Sequence, residues 1–108
     1  MRLNDSDFSG ADLANAKLTR TDFYSTNLSG ANMAGANLAE VVLGHANLAD
    51  ANLSGANLRA ANLRSANLTG ANLSNANLLQ ADLTYANLAG ATWTDGRVCD
   101  SASIGACR

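Results

Sequence analysis

The chain repeats every five residues, and that period suits neither regular secondary structure. Every fifth position from Leu3 to Trp93 holds a large apolar residue. There are 15 Leu together with Phe8, Phe23, Met33 and Trp93, 19 centres in succession without an insertion. On an α-helix five residues advance ~500°, so successive centres step by ~140° and smear around the cylinder. On a flat strand, side chains alternate with period two, and an odd spacing sends successive centres to opposite faces. The chain can keep every fifth residue inside only by turning once per repeat. A coil that turns the same way each time and stacks on itself meets that condition.

The other positions then acquire roles. Two residues before the centre, 14 of the 17 positions from Ala11 to Ala91 are Ala, the exceptions being Thr21, Thr26 and Val41. A side chain that small fits inward between stacked leucines. One residue before the centre, 15 of the 18 positions from Asp7 to Thr92 are Asn or Asp. A short polar side chain there can hydrogen-bond nearby backbone, which places it at a corner. The two residues after the centre vary and face water. Six of the nine glycines (Gly10, Gly30, Gly35, Gly55, Gly70, Gly90) hold the second of these positions, where a turn favours a permissive residue.

Composition excludes more than it assigns. Ala, Leu and Asn supply 52 of 108 residues, and proline is absent. A net charge of −2 gives no basic footprint for nucleic acid. No apolar run approaches the ~20 residues that span a bilayer. The start, Met1-Arg2-Leu3-Asn4-Asp5, has no signal-peptide core. A complete chain would therefore be cytoplasmic. One that has lost a leader would belong to an oxidising compartment, provided its two cysteines are bonded.

The pattern A-(D/N)-L-x-x, as in Ala51-Asn52-Leu53, Ala56-Asn57-Leu58 and Ala61-Asn62-Leu63, resembles that of the pentapeptide-repeat family. The resemblance covers residues 1–95. It implies an all-β fold, a right-handed quadrilateral parallel β-helix with four pentapeptides per coil and about five coils. One His, two Cys and nine acidic residues leave little for a metal cluster, and no cofactor is expected. After Trp93 the repeat dissolves, and residues 96–108 read as a C-terminal cap in which Trp93, Val98 and Ile104 would cover the last leucine layer. Cys99 and Cys107 bracket a short loop within it, either as a disulfide or as two free thiols in a reducing cytosol. The tail, Trp93-Thr94-Asp95-Gly96-Arg97-Val98-Cys99 with Ser103-Ile104-Gly105-Ala106-Cys107, looks like those of cyanobacterial and chloroplast-lumenal members.

The N-terminal coil has no cap of its own. It is exposed, stacks end to end on a second copy as a homodimer, or continues a longer chain. Phe8 and Phe23 either plug that end or simply fill core volume. Val41-Val42 breaks two of the conventions in one repeat, as a tolerated substitution or as a contact site.

With four sides granted, outward residues sort by number modulo 20. One face displays Tyr24, His45, Arg64 and Tyr85, and its neighbour Arg20, Glu40, Arg59, Leu79 and Gln80. The other two carry mostly small residues. Aromatics and Arg anchor interfaces, so the first face is the candidate surface for an unknown protein partner. His45 has no orienting carboxylate on its own coil and no cleft, which argues against a catalytic base. The expected function is a non-enzymatic structural or interaction module. The alternative carried by the resemblance is a DNA-mimicking protein that binds topoisomerase (gyrase), which calls for a longer and more acidic chain.

Overall fold

A computed structural model describes residues 2–108; Met1, with which the resemblance over 1–95 begins, lies outside them. The backbone is a ladder of parallel bridges in which each residue pairs with the one 20 positions on, from Arg2↔Asp22 to Asn72↔Thr92. Twenty residues are four pentapeptides, so each coil has four sides. The molecule measures 33 × 25 × 22 Å.

The repeat 51–55 shows how five residues satisfy their own N–H groups. Leu53 N–H donates to Asn72 C=O at 2.7 Å, and Gly55 N–H to Ser74 C=O at 2.9 Å, both on the following coil. Asn52 N–H donates to Ala31 C=O on the preceding coil at 2.9 Å. Ala51 N–H closes a turn onto Leu48 C=O at 3.0 Å. The remaining donor, Ser54 N–H, goes to Asn52 Oδ1 at 3.0 Å. Every Asn and Asp in this position, from Asp7 to Asn87, accepts the N–H two residues on in the same way. Only a short side-chain carbonyl or carboxylate reaches that N–H, which explains the Asn/Asp preference.

This geometry corrects one expectation. The Asn/Asp residue forms the bridge in the middle of each side, and the corner is the variable pair. The polar side chain does bond into the turn, but from the flat side that precedes it. Asparagines also stack between coils, with Asn57 Nδ2 donating to Asn37 Oδ1 and Asn67 Nδ2 to Asn47 Oδ1, each at 3.4 Å.

Each corner is a β-turn with positive φ at its third residue alone, the type II signature. From Asp5 to Gly90 every second variable residue has φ between 55° and 68°, and twelve of these are not glycine. A left-handed conformation costs an L-residue roughly 1–2 kcal/mol. Gly55→Ala is therefore expected to lower stability by about 1 kcal/mol, although nothing lies within 4 Å of the added Cβ. Gly70→Ala should cost more, because its Cβ collides with Asp50 Oδ1. Thermal unfolding of the two variants measures the difference.

Inside, the centres from Phe23 to Leu73, with Leu88, are buried, and Ala residues from Ala31 to Ala91 fill the gaps between them. Toward the start, Leu3, Phe8, Leu13 and Leu18 are only partly buried, and the Phe8 ring meets buried Phe23 edge to face at 6.0 Å. Thr26 replaces an inward Ala without penalty, because its hydroxyl donates to Leu3 C=O at 2.9 Å.

After Trp93 the chain reverses. Gly96 N–H bonds Trp93 C=O at 3.0 Å, Trp93 N–H bonds Arg97 C=O at 2.7 Å, and Gly96 takes φ +91°. The tail then runs antiparallel over the last coil, pairing Val98 with Thr92 and Ile104 with Asn87. This register overturns the expectation that Val98 and Ile104 cover the leucine layer: they are 67% and 46% exposed. Residues opposite an outward position point outward, and a one-residue slip exchanges the faces. The inward positions belong to Cys99 and Ser103, both buried, and Trp93 is partly buried. Cys99 and Cys107 are bonded, with Cα atoms 5.0 Å apart. The Ser103 hydroxyl donates to Asp100 Oδ1 at 3.1 Å and accepts Arg108 N–H at 2.9 Å.

Candidate interaction surface

Tyr24, His45, Arg64 and Tyr85 come together as one corner column, since they occupy turn positions on successive coils. His45 and Tyr85 sit at the third turn residue, with φ 56° and 61°. Tyr24 and Arg64 sit at the second. The Tyr24 ring meets the His45 ring edge to face at 5.5 Å. Beneath it lies buried Gly44, where a Cβ would approach Tyr24 Cδ1 to 3.3 Å. The seat for Tyr24 is thus the absence of a side chain on the next coil, a detail visible only once the 20-residue spacing is known.

Further along, Arg64 Nη1 bonds Asp82 Oδ2 at 3.3 Å, with both side chains about half exposed. The Thr84 hydroxyl and N–H donate to the Asp82 carboxylate, and with Arg64 they hold it below the ordinary carboxylate range. The Ser9 N–H does the same for Asp7. Tyr85 is 70% exposed and Tyr24 45%. Sequence reasoning selects the four residues but misses Asp82 and Gly44, the first because its position marks it only as a turn-forming carboxylate.

The neighbouring corner places Arg20 and Glu40 3.9 Å apart, with Leu79 exposed above them. Among the described residues no group of three His, Cys, Asp or Glu gathers in reach of one metal ion. No helix of the structure is long and apolar enough to cross a membrane.

Comparison with known proteins agrees with this architecture. The family model described as pentapeptide repeats matches in eight copies, over residues 6–43, 26–64, 36–75 and 61–92. No curated protein matches the chain. Among solved structures, the pentapeptide repeat protein Rfr23 of the cyanobacterium Cyanothece 51142 is 48% identical over 65% of this chain, with a TM-score of 0.65. The chain covers 48% of Rfr23, about half its length. The pentapeptide repeat protein AT2G44920 from the thylakoid lumen of Arabidopsis thaliana is 28% identical over 97% of this chain and 82% of its own, with a TM-score of 0.67. A four-sided ladder with a 20-residue period and an apolar axis is the right-handed quadrilateral β-helix of such proteins, and the chain belongs to the pentapeptide repeat family.

Proposed function

We propose that the chain is a non-enzymatic protein-interaction module that binds its partner through the corner column Tyr24, His45, Arg64 and Tyr85. In this reading the repeats from Arg2 to Asp95 serve as a rigid scaffold of about five coils, and residues 96–108 serve as its cap. The observation that carries the reading is the concentration of both tyrosines, the only His and a mid-scaffold Arg on one corner. Elsewhere the turn positions hold mostly Ser, Thr, Ala and Gly. Exposed aromatics and Arg on a stiff support lose little entropy on binding, which suits them as anchors.

The Cys99–Cys107 bond supports an oxidising compartment, a thylakoid lumen or periplasm, as the working place. Nothing favours the topoisomerase-binding alternative: the net charge is only −2, and Arg59 and Arg64 interrupt the acidity that DNA mimicry requires.

The test is affinity capture from source-organism extract with wild type and with Tyr24→Ser/Arg64→Ser/Tyr85→Ser. These exposed changes leave the core intact. Loss of a specific partner from the variant supports the column; an unchanged set of partners rejects it. A gyrase supercoiling assay on the same protein should show no inhibition.

A further inference from the structure

The tail closes only half of the end it folds over. On the last coil the four sides carry Asn77, Asp82, Asn87 and Thr92 in chain order. Val98 pairs over Thr92 and Ile104 over Asn87, where Leu88 N–H, Trp93 N–H, Ala86 C=O and Ala91 C=O all find partners in the tail. No described residue bridges Asn77 or Asp82 from the tail side. There the N–H groups of Leu78, Gln80, Leu83 and Tyr85 and the carbonyls of Ala76 and Ala81 have no backbone partner among the described residues. Leu78, Ala81 and Leu83 beneath them are only partly buried. The tail also has an unused outer edge: the N–H and C=O of Val98 and of Ile104 bond no backbone group among the described residues. Among the described residues, four of the five large exposed apolar side chains, Leu79, Tyr85, Val98 and Ile104, border this end. An open edge with apolar surroundings recruits another strand.

We propose that the occupant is a second copy of this chain, placed end against end so that each tail fills the other copy's open half. The symmetry follows from the order of the sides. Let a two-fold axis lie in the plane between the copies, along the diagonal through the corner shared by the Asp82 and Asn87 sides. Rotation about it exchanges Asp82 with Asn87 and Asn77 with Thr92. Each open side then faces a tail-covered side, and the two tails together make one shared layer. The alternative diagonal sets tail on tail and leaves the open sides apart.

Strand direction agrees. The tail runs antiparallel to its own coil, and the rotation reverses the sense of the partner's coil, so tail and partner coil run parallel. The parallel rule of the body then applies unchanged. There, a bridging residue donates its N–H to the inward Ala carbonyl of the neighbouring coil and accepts the N–H of that coil's centre. Across the interface, Val98 N–H meets Ala76 C=O and Leu78 N–H meets Val98 C=O. Ile104 N–H meets Ala81 C=O and Leu83 N–H meets Ile104 C=O. Both copies contribute equally, as a two-fold interface requires. One coil end is a small area compared with the ~1,200 Å² at the lower bound of stable interfaces, so the dimer dissociates on dilution.

Sedimentation equilibrium and amide hydrogen exchange on the 108-residue chain, from micromolar to near-millimolar protein, test this. The expected mass rises toward twice 11.1 kDa. Over the same range the amides of Leu78, Leu83, Val98 and Ile104 gain at least tenfold protection. Val98→Pro removes one outward N–H that no intramolecular backbone bond uses, and should weaken dimerisation at least tenfold. If that variant unfolds by circular dichroism, the wild-type exchange pattern alone decides. A monomer at every concentration overturns the proposal. So does a dimer that protects Asp7, Asp12 and Lys17, which marks stacking through the first coil, or one whose protected amides lie on the Tyr24 corner. A folded Val98→Pro that dimerises as wild type overturns it too. The partner capture above shares only Tyr85 with this end and reads bound partners, whereas these outcomes are read on the chain alone, so the two fail separately.

Discussion

Leu53→Ala is expected to destabilise the protein by about 3–5 kcal/mol, several times the effect of the same change at Leu13. Leu53 is buried at 0% exposure, with coils above and below it. Its neighbours along the axis are Met33 on one side and Leu73 on the other, and both coils are held in place by hydrogen bonds to the coil of Leu53. They cannot collapse into the hole without breaking the ladder, so the cavity persists and its full cost is felt. Leu13 lies in the partly buried first layer, where the same truncation removes less contact. Denaturant unfolding measures both. Equal losses at the two sites would mean that the first layer is as tightly packed as the middle. Because repeat arrays need not unfold in one step, the comparison rests on the transition that carries each site.

Reduction of Cys99–Cys107, or Cys99→Ser with Cys107→Ser, is expected to cost ~2–3 kcal/mol from loop entropy. The loss should fall locally. Released residues 99–108 stop covering Leu88 and Ala91, and Leu88 N–H and Gly90 N–H lose Ser103 C=O and Cys99 C=O. Exchange at these two amides should accelerate while Leu53 and Leu58 keep their protection. Uniform acceleration along the chain would instead show that the tail and the coils unfold as one unit.

Much of the fold is legible in the sequence because a five-residue period leaves the backbone few options. Ala, Leu and Asn/Asp at their fixed offsets each have one physical reason in the coil. What the sequence conceals is where the side ends and the corner begins. Both placements of Asn52 allow its side chain to bond nearby backbone, and composition does not distinguish them. The structure does, because the Oδ1 of Asn52 takes the N–H of Ser54 while Asn52 itself bridges Asn32 and Asn72. The tail is obscured for a related reason. Counting on from Trp93 puts Val98 at a centre, but the reversal at Thr94–Gly96 changes the register and turns Val98 outward. The corner column emerges from arithmetic modulo 20, yet Gly44 beneath Tyr24 carries no signal of its own. A glycine at a first variable position reads as one small residue among many until the ring on the preceding coil is placed.

The central claim is that residues 20 apart lie side by side, since the core, the corner column and the tail register all follow from it. Oxidation of paired outward cysteines tests it most directly. Asn52→Cys with Asn72→Cys should form an intramolecular disulfide readily, because these residues bridge in adjacent coils. Asn52→Cys with Asn67→Cys, which lie on different sides, should not. Bonding in the second pair and none in the first would contradict the four-sided coil and everything built on it.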